Sequence, residues 1–227
     1  MPSKSKLPYT AFSYDEGIKR TLPYYDSFHR ETLDLVRAVK PVPRVWLDTG
    51  CGTGHLVQSA LRVFPKTRFV LADPSPEMLK IAETKVSKDS KARVSILPPM
   101  GSAGLVGKLK TDVVTAIQCH HYLTVPERLK ALKACRNVLN PGGVLVVFEN
   151  IAPETKEGVR IGLKRWASYQ ESCGKTKAQT SKHVRRYGKE FFPITTRAHR
   201  LLLNKAGFKT VEMFWLSYLQ AGFYAIR

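Results

Sequence analysis

The sequence predicts an α/β fold, a mostly parallel sheet covered by helices on both faces, and three observations carry that reading. Short apolar runs rich in β-branched and aromatic residues recur along the chain, stretches with apolar residues three and four apart separate them, and the first run enters a glycine-rich turn. The first strand is Val45-Trp46-Leu47, and residues 56–64 form the helix after it. Strands at 68–72, 94–97, 113–117 and 144–148 follow, each bounded by Gly, Pro or Asp. Between them lie helices at 77–86 and 127–139, which Pro76 and Pro126 open from the first turn and Asn140-Pro141-Gly142-Gly143 ends. After about fifty residues without this rhythm, a helix at 195–205 capped by Gly207 leads to two closing strands, 211–216 and 222–226, for seven strands in all.

A chain of 227 residues is sized for one large domain. With 43% hydrophobic and 24% charged residues it buries a continuous core, which excludes disordered and collagen-like classes. Composition divides it into an aromatic-rich N-terminal helical cover (9–40), a core (44–150), a basic lid segment (151–206) and the closing strands (207–227). The cover holds Tyr9, Phe12, Tyr14, Tyr24, Tyr25 and Phe28, an aromatic set that suits either a helix packed on the sheet edge or a lid over a ligand. Charge is unbalanced: 37 Lys and Arg against 18 Asp and Glu leave +19. Fourteen basic against three acidic residues between Lys156 and Lys209 place +11 of it in a quarter of the length, a solvated lid or the seat of an anion. Cys51, Cys119, Cys135 and Cys173 are widely spaced, so no disulfide framework and no metal site is expected. No apolar run reaches membrane-spanning length and none follows the N-terminal lysines, the pattern of a reduced, cytoplasmic protein without signal or span.

The sharpest motif is Asp48-Thr49-Gly50-Cys51-Gly52-Thr53-Gly54, at the carboxyl end of the first strand, where open α/β sheets bind nucleotides. Its glycines admit positive φ and let backbone touch a ligand. The spacing is GxGxG rather than the dinucleotide GxGxxG, and the acid two residues ahead of it repels a pyrophosphate and suits a cationic ligand. Asp73 ends the next strand about 20 residues on, where a carboxylate accepts both hydroxyls of a ribose. It is also placed to cap the helix at Pro76, for which Ser75 is the better candidate. A ligand with a ribose and a positive centre is S-adenosylmethionine.

Four ordered blocks, Asp48 to Gly54, Ala72-Asp73-Pro74-Ser75-Pro76-Glu77-Met78-Leu79, Asp112 to Leu123 and Leu139 to Leu145, resemble the successive motifs of class I S-adenosylmethionine-dependent methyltransferases. The resemblance implies a Rossmann-like three-layer sandwich with an antiparallel last strand. It also implies a donor held by Gly50, Cys51, Gly52 and Gly54, with Asp73 on the ribose and Met78 against the adenine. Tyr14, Asp48, Pro74 and Gln118 complete the cofactor set. Where the family places an acid after the third strand, this chain has Pro98-Pro99-Met100. The flanks, Phe12 to Asp26, Lys164-Arg165 and His199 to Ile226, are similar to carboxy-S-adenosylmethionine synthase and methyltransferases like it. That synthase carries GCSxG where this chain reads Gly50-Cys-Gly-Thr-Gly54, the form that goes with the ordinary methyl donor.

Methyl transfer from a sulfonium is an in-line displacement in which alignment and exclusion of water matter most. His120 and His121, after the fourth strand, are placed to take a proton from an attacking hydroxyl, or to pack and cap. Arg165, Trp166 and Tyr169 share a helical spacing in the basic segment; with Tyr24 they form the candidate substrate set. Either Arg165 holds an anionic acceptor bidentately or the helix is a surface one with Trp166 in the core. The expected partner is a small, anionic acceptor. An RNA substrate and a carboxy-S-adenosylmethionine synthase-like activity are the alternatives, and the oligomeric state, homodimer included, stays open.

Overall fold

The computed structural model describes residues 14–86, 88–106 and 109–227, and in it the alternation of the sequence becomes a doubly wound sheet. Helices α1 (Tyr14–Lys19) and α2 (Tyr25–Val39) precede β1 (Val45–Thr49), followed by α3 (His55–Val63), β2 (Arg68–Ala72), α4 (Pro76–Lys85) and β3 (Val94–Ile96). Then come β4 (Thr111–Ile117), α5 (Val125–Val138) and β5 (Leu139–Ala152). Helices α6 (Lys156–Ser172) and α7 (Lys177–Val184) occupy the basic segment, ahead of β6 (Ile194–Thr195), α8 (Thr196–Lys205), β7 (Thr210–Ser217) and β8 (Gln220–Ile226).

The main path orders the strands β3-β2-β1-β4-β5-β8-β7. The first five are parallel, and β8 runs antiparallel to both β5 and β7. The seven expected strands are all present. An eighth, β6, pairs with Ile151 and Ala152 because β5, at 14 residues, outruns its neighbours and offers a free parallel edge. Strand order reverses at β1, so successive connections leave β1 and β4 in opposite directions and open a crevice at their carboxyl ends.

Both sheet faces are buried, which is why the strands read as unbroken apolar runs. Trp46, Phe69, Val113 and Val146 point to one face, under Phe28 and Val36 of α2, Leu56 and Val57 of α3, and Trp166 of α6. Leu47, Val70, Val114 and Leu145 point to the other, under Leu132 and Val138 of α5 and Leu202 and Leu203 of α8. Local chemistry starts the helices: Ser75 Oγ accepts from the Met78 N–H and Pro76 opens α4, while Thr124 and Glu127 form a capping box on α5. The segment that broke the sequence rhythm is no loose loop. Trp166 is fully buried and its indole N–H donates to the Thr21 carbonyl at 2.6 Å, fastening α6 to the N-terminal cover.

Candidate active site

The glycine turn crosses the carboxyl ends of β1 and β2. Gly50, with φ +66°, backs onto β4's exit so closely that a Cβ there would lie 2.5 Å from the Cys119 Cβ. Gly52, with φ +54°, has open space where a side chain would point, and its N–H donates at 2.9 Å to Asp73 Oδ2. The other Asp73 oxygen accepts from Ser75 N–H at 2.9 Å. Asp73 is thus buried on two backbone donors with no cation against it among the described residues, and burial raises its pKa. Gly54 is the left-handed N-cap of α3.

Asp48 lies 2% exposed beneath the turn, accepting from Thr115 Oγ1 at 2.6 Å. Burial pushes its carboxyl up to about 7; the Thr115 hydrogen bond works against that shift and the Asp73 charge adds to it. At the end of β4, Gln118 takes a left-handed φ of 57° and is buried, with neither its amide oxygen nor its amide nitrogen hydrogen-bonded to protein. A buried side-chain amide with both ends unpaired is costly and marks a place for a polar ligand or water. Cys51 also lines the turn, and burial holds the thiols of Cys51 and Cys119 well above their ordinary value, so neither is a ready nucleophile. Met78 is buried in the first turn of α4, whereas Pro74 is exposed. Tyr14 opens α1, but its side chain lies outside the described residues. Pro98-Pro99-Met100 crosses the end of β2, where the Met100 N–H donates to the Asp73 carbonyl at 3.0 Å.

The N-terminal cover closes over this turn. Asp15 of α1 accepts from Thr53 Oγ1 at 2.6 Å and pairs with Lys85 of α4. A small cavity of about 20 Å³ remains, lined by Asp48, Gly50, Gly52, Tyr25, His29 and His55 among others. Tyr25, not Tyr24, is the aromatic facing it. Tyr24 is 58% exposed in the left-handed N-cap position of α2 and turns its ring towards Tyr218. The helical phase of Tyr25, Phe28, Thr32 and Val36 carried the signal for the inward face. A larger groove of about 560 Å³ runs along α4 and β3, lined by Leu79, Lys80, Val94 and Ile96, away from the glycine turn.

His120 and His121 are each 2% exposed and belong to a buried polar network that the sequence reading missed. Glu149 of β5 accepts the His120 backbone N–H at 3.1 Å on one oxygen and meets His121 Nδ1 at 3.1 Å with the other. His120 Nε2 meets Ser102 Oγ at 2.8 Å, and Ser102 meets Thr49 Oγ1 at 2.9 Å. Arg128, buried on α5, donates to the carbonyls of His120 and Phe192. Burial alone would raise Glu149, but the His121 hydrogen bond and the charges of His121, His120 and Arg128 outweigh it and hold the carboxyl at about 2. Burial lowers both histidines, His120 to about 4, so each is neutral at pH 7.

The proposed substrate residues gather elsewhere. The Arg165 guanidinium lies 4.6 Å from the centroid of the Tyr218 ring, which also meets Tyr24 and Tyr169 at 6.4 and 5.8 Å. Tyr169 donates its hydroxyl to the Lys19 carbonyl at 3.0 Å. Trp166 is enclosed, its indole N–H spent on Thr21. Folding also brings together the side chains of Asp26, His29 and His55, a group of potential ligand donors invisible in linear spacing because its members come from two helices.

A methyltransferase-domain family model matches residues 47–145, the stretch that holds the glycine turn, Asp73 and both histidines. The carboxy-S-adenosyl-L-methionine synthase of Campylobacter curvus is 25% identical over 88% of this chain and 84% of its own length. That of Campylobacter concisus is 26% identical over 90% and 86%. Among solved structures, a Nostoc punctiforme protein described as a putative O-methyltransferase superposes with TM-score 0.66 at 15% identity, covering 88% of this chain. Human N-acetylserotonin methyltransferase superposes with TM-score 0.58 at 16% identity, covering 97%. The chain spans only 55% and 60% of those two structures. Fold, glycine turn and matches together make this chain similar to class I S-adenosylmethionine-dependent methyltransferases, whose cofactor is S-adenosylmethionine.

Acid stability follows from the buried imidazoles. Burial lowers His29, His183 and His199 to about 3 and His120 to about 4, from 6.5. An unfolded chain takes protons on these rings near pH 6.5 while the folded one refuses them, so their contribution to stability is full above pH 6.5 and is lost as pH falls. Asp48 and Asp73, raised by burial, act in the opposite sense, two groups against four. The urea midpoint is therefore expected to fall steadily from pH 6.5 to 4.5, before most carboxylates titrate; a midpoint flat over that range contradicts the buried neutral histidines.

Proposed function

We propose that the protein transfers the methyl group of S-adenosylmethionine to a small, anionic acceptor. The observation that carries the donor's placement is the convergence, at one sheet end, of the Gly52 turn, the buried Asp73 carboxylate and the unpaired Gln118 amide. Ribose hydroxyls donating to Asp73 replace water on a carboxylate that meets no cation among the described residues, and the ligand passes Gly52 without a side chain in the way. A sulfonium or ammonium nearby favours the ionised form of Asp48, whose carboxyl is otherwise raised to about 7. Gly50, Cys51 and Gly54 shape the turn, Met78 backs the adenine, and the exposed Pro74 stands at the entrance.

The acceptor reading rests on charge and on the rim. The +19 field draws anions, and Arg165 stacked on Tyr218 beside Tyr24 and Tyr169 offers a guanidinium with an aromatic floor at the joint of cover and lid. For a hydroxyl acceptor, His121 is the base the geometry favours. Its Nδ1–H donates to ionised Glu149, which leaves Nε2 as the neutral lone pair. We place the reaction in the cytoplasm; among the described residues no helix is long and apolar enough to cross a membrane.

A second reading, synthesis of the carboxylated donor, is favoured by the relatives of that name along nearly the whole chain. Against it stands Gly52, in left-handed backbone where the synthase pattern places serine. Mass spectrometry of ligand carried through purification separates the two: plain S-adenosylmethionine or its demethylated product supports methyl transfer, and the carboxylated donor overturns it.

Calorimetry with S-adenosylmethionine tests the ribose assignment. Asp73→Asn should weaken binding by about 1.5 to 3 kcal/mol, the worth of a hydrogen bond to a charged group; unchanged affinity removes Asp73 from the donor site. Once an acceptor is found, Arg165→Ala should raise its KM and His121→Gln should lower kcat by roughly 10²- to 10⁴-fold. If the purified protein methylates RNA in extract, with binding that weakens steeply as salt rises, the small-molecule reading fails.

A further inference from the structure

We propose that Asp26, His29 and His55 form a binding site for a divalent transition-metal ion at the edge of the donor cavity. Asp26 and His29 lie one turn apart on α2, on one helix face, and His55 is the first residue of α3. One donor atom from each lies within 4.8 Å of the others. The two imidazoles are stacked, centroids 4.9 Å apart and planes 30° apart, and Asp26 Oδ1 stands 4.0 Å from His55 Nε2.

Several features suit an ion better than a packing role. His29 is 5% exposed, yet its Nδ1 has no hydrogen-bond partner. Lys19 occupies only the second oxygen of Asp26, at 2.9 Å, leaving Oδ1 towards the histidines. The charges nearby are mixed: Lys19 and Lys85 oppose a cation, while Asp15, Asp26 and Asp48 favour it.

The donor set selects the metal. Two imidazoles and one carboxylate suit zinc, iron(II) or cobalt(II), whereas magnesium and calcium want oxygen throughout. With metal–ligand bonds of about 2.0 to 2.2 Å, tetrahedral donors sit roughly 3.4 Å apart. The spread of up to 4.8 Å must therefore close by about an ångström and a half. Side-chain rotation supplies this, since the Asp26 and His55 side chains are 62% and 29% exposed while His29 is the fixed post. Three protein ligands leave at least one coordination position open. His29 and His55 share the cavity wall with Asp48, Gly50 and Gly52, so the open position faces the space that the donor or acceptor enters. The ion would bind an anionic oxygen there and pin α2 to α3 behind it.

The test is titration of untagged protein, since a histidine tag competes, with cobalt(II) followed by visible absorption and with zinc(II) by calorimetry. One saturable equivalent with the intense visible band of a four- or five-coordinate cobalt is expected. Asp26→Ala and His55→Ala, both at partly exposed positions, should each weaken the site roughly 100-fold or more, given that even outer-shell partners are worth about 10- to 100-fold. Zinc should raise the melting temperature of the wild type and not of these variants. Absence of saturable binding, or equal binding by wild type and both variants, overturns the site. Binding of S-adenosylmethionine by the metal-free protein is a separate readout and leaves the donor assignment independent of this one.

Discussion

One carboxylate oxygen of Asp73 takes the N–H of Gly52 and the other takes the N–H of Ser75, and this clamp places everything else in the site. It ties the turn leaving β1 to the end of β2 and so fixes the backbone path of the turn. It also keeps an ionisable group 7% exposed with no cation against it among the described residues, and burial raises its pKa. The turn survives only because Gly50 permits contact with Cys119, so the strand order that juxtaposes β1 and β4 and the chemistry of the turn are one constraint.

Behind the clamp, the carboxyl ends of β1, β4 and β5 carry a layer of polar side chains that is largely satisfied. Trp46 Nε1–H donates to Thr115, Thr115 donates to Asp48, and the Thr49–Ser102–His120 chain runs beside the Glu149–His121 pair. In a low-dielectric interior such networks are costly when incomplete and rigid when complete. Gln118 stands out within this layer because both ends of its amide lack partners. His120 Nδ1 is also buried without a partner, so the layer carries unmet demands at both the end of β4 and the residues that follow it.

The N-terminal cover is held differently. Trp166 anchors its base by a buried hydrogen bond, but over the turn itself Asp15 fastens it through the Thr53 hydroxyl and the partly exposed Asp15–Lys85 pair. Exposed ion pairs contribute little, typically below about 1 kcal/mol each. The cavity of about 20 Å³ beneath the cover is far too small for a nucleoside, and α2 is held over the sheet by the buried Phe28 and Val36.

The sequence by itself determined the strands, the crossover helices, the glycine turn and the acid that follows it. These are demands of single residues or of short stretches: unbroken apolar runs for a doubly buried strand, a period of three to four for a helix face, positive φ at Gly50 and Gly52. Tertiary structure alone decided which side chains meet. Glu149 lies 28 residues from His121, and Arg165 meets Tyr218 across two later strands of chain. Tyr25 rather than Tyr24 reaches the cavity because the left-handed N-cap turns one outward and the helix phase turns the other inward. The eighth strand exists only because β5 projects beyond its neighbours. His29 and His55 become a pair only when α2 is laid across the sheet beside α3. Local propensity carries no information about such pairings, since they are set by where the packed faces of the sheet and helices force distant backbone to pass.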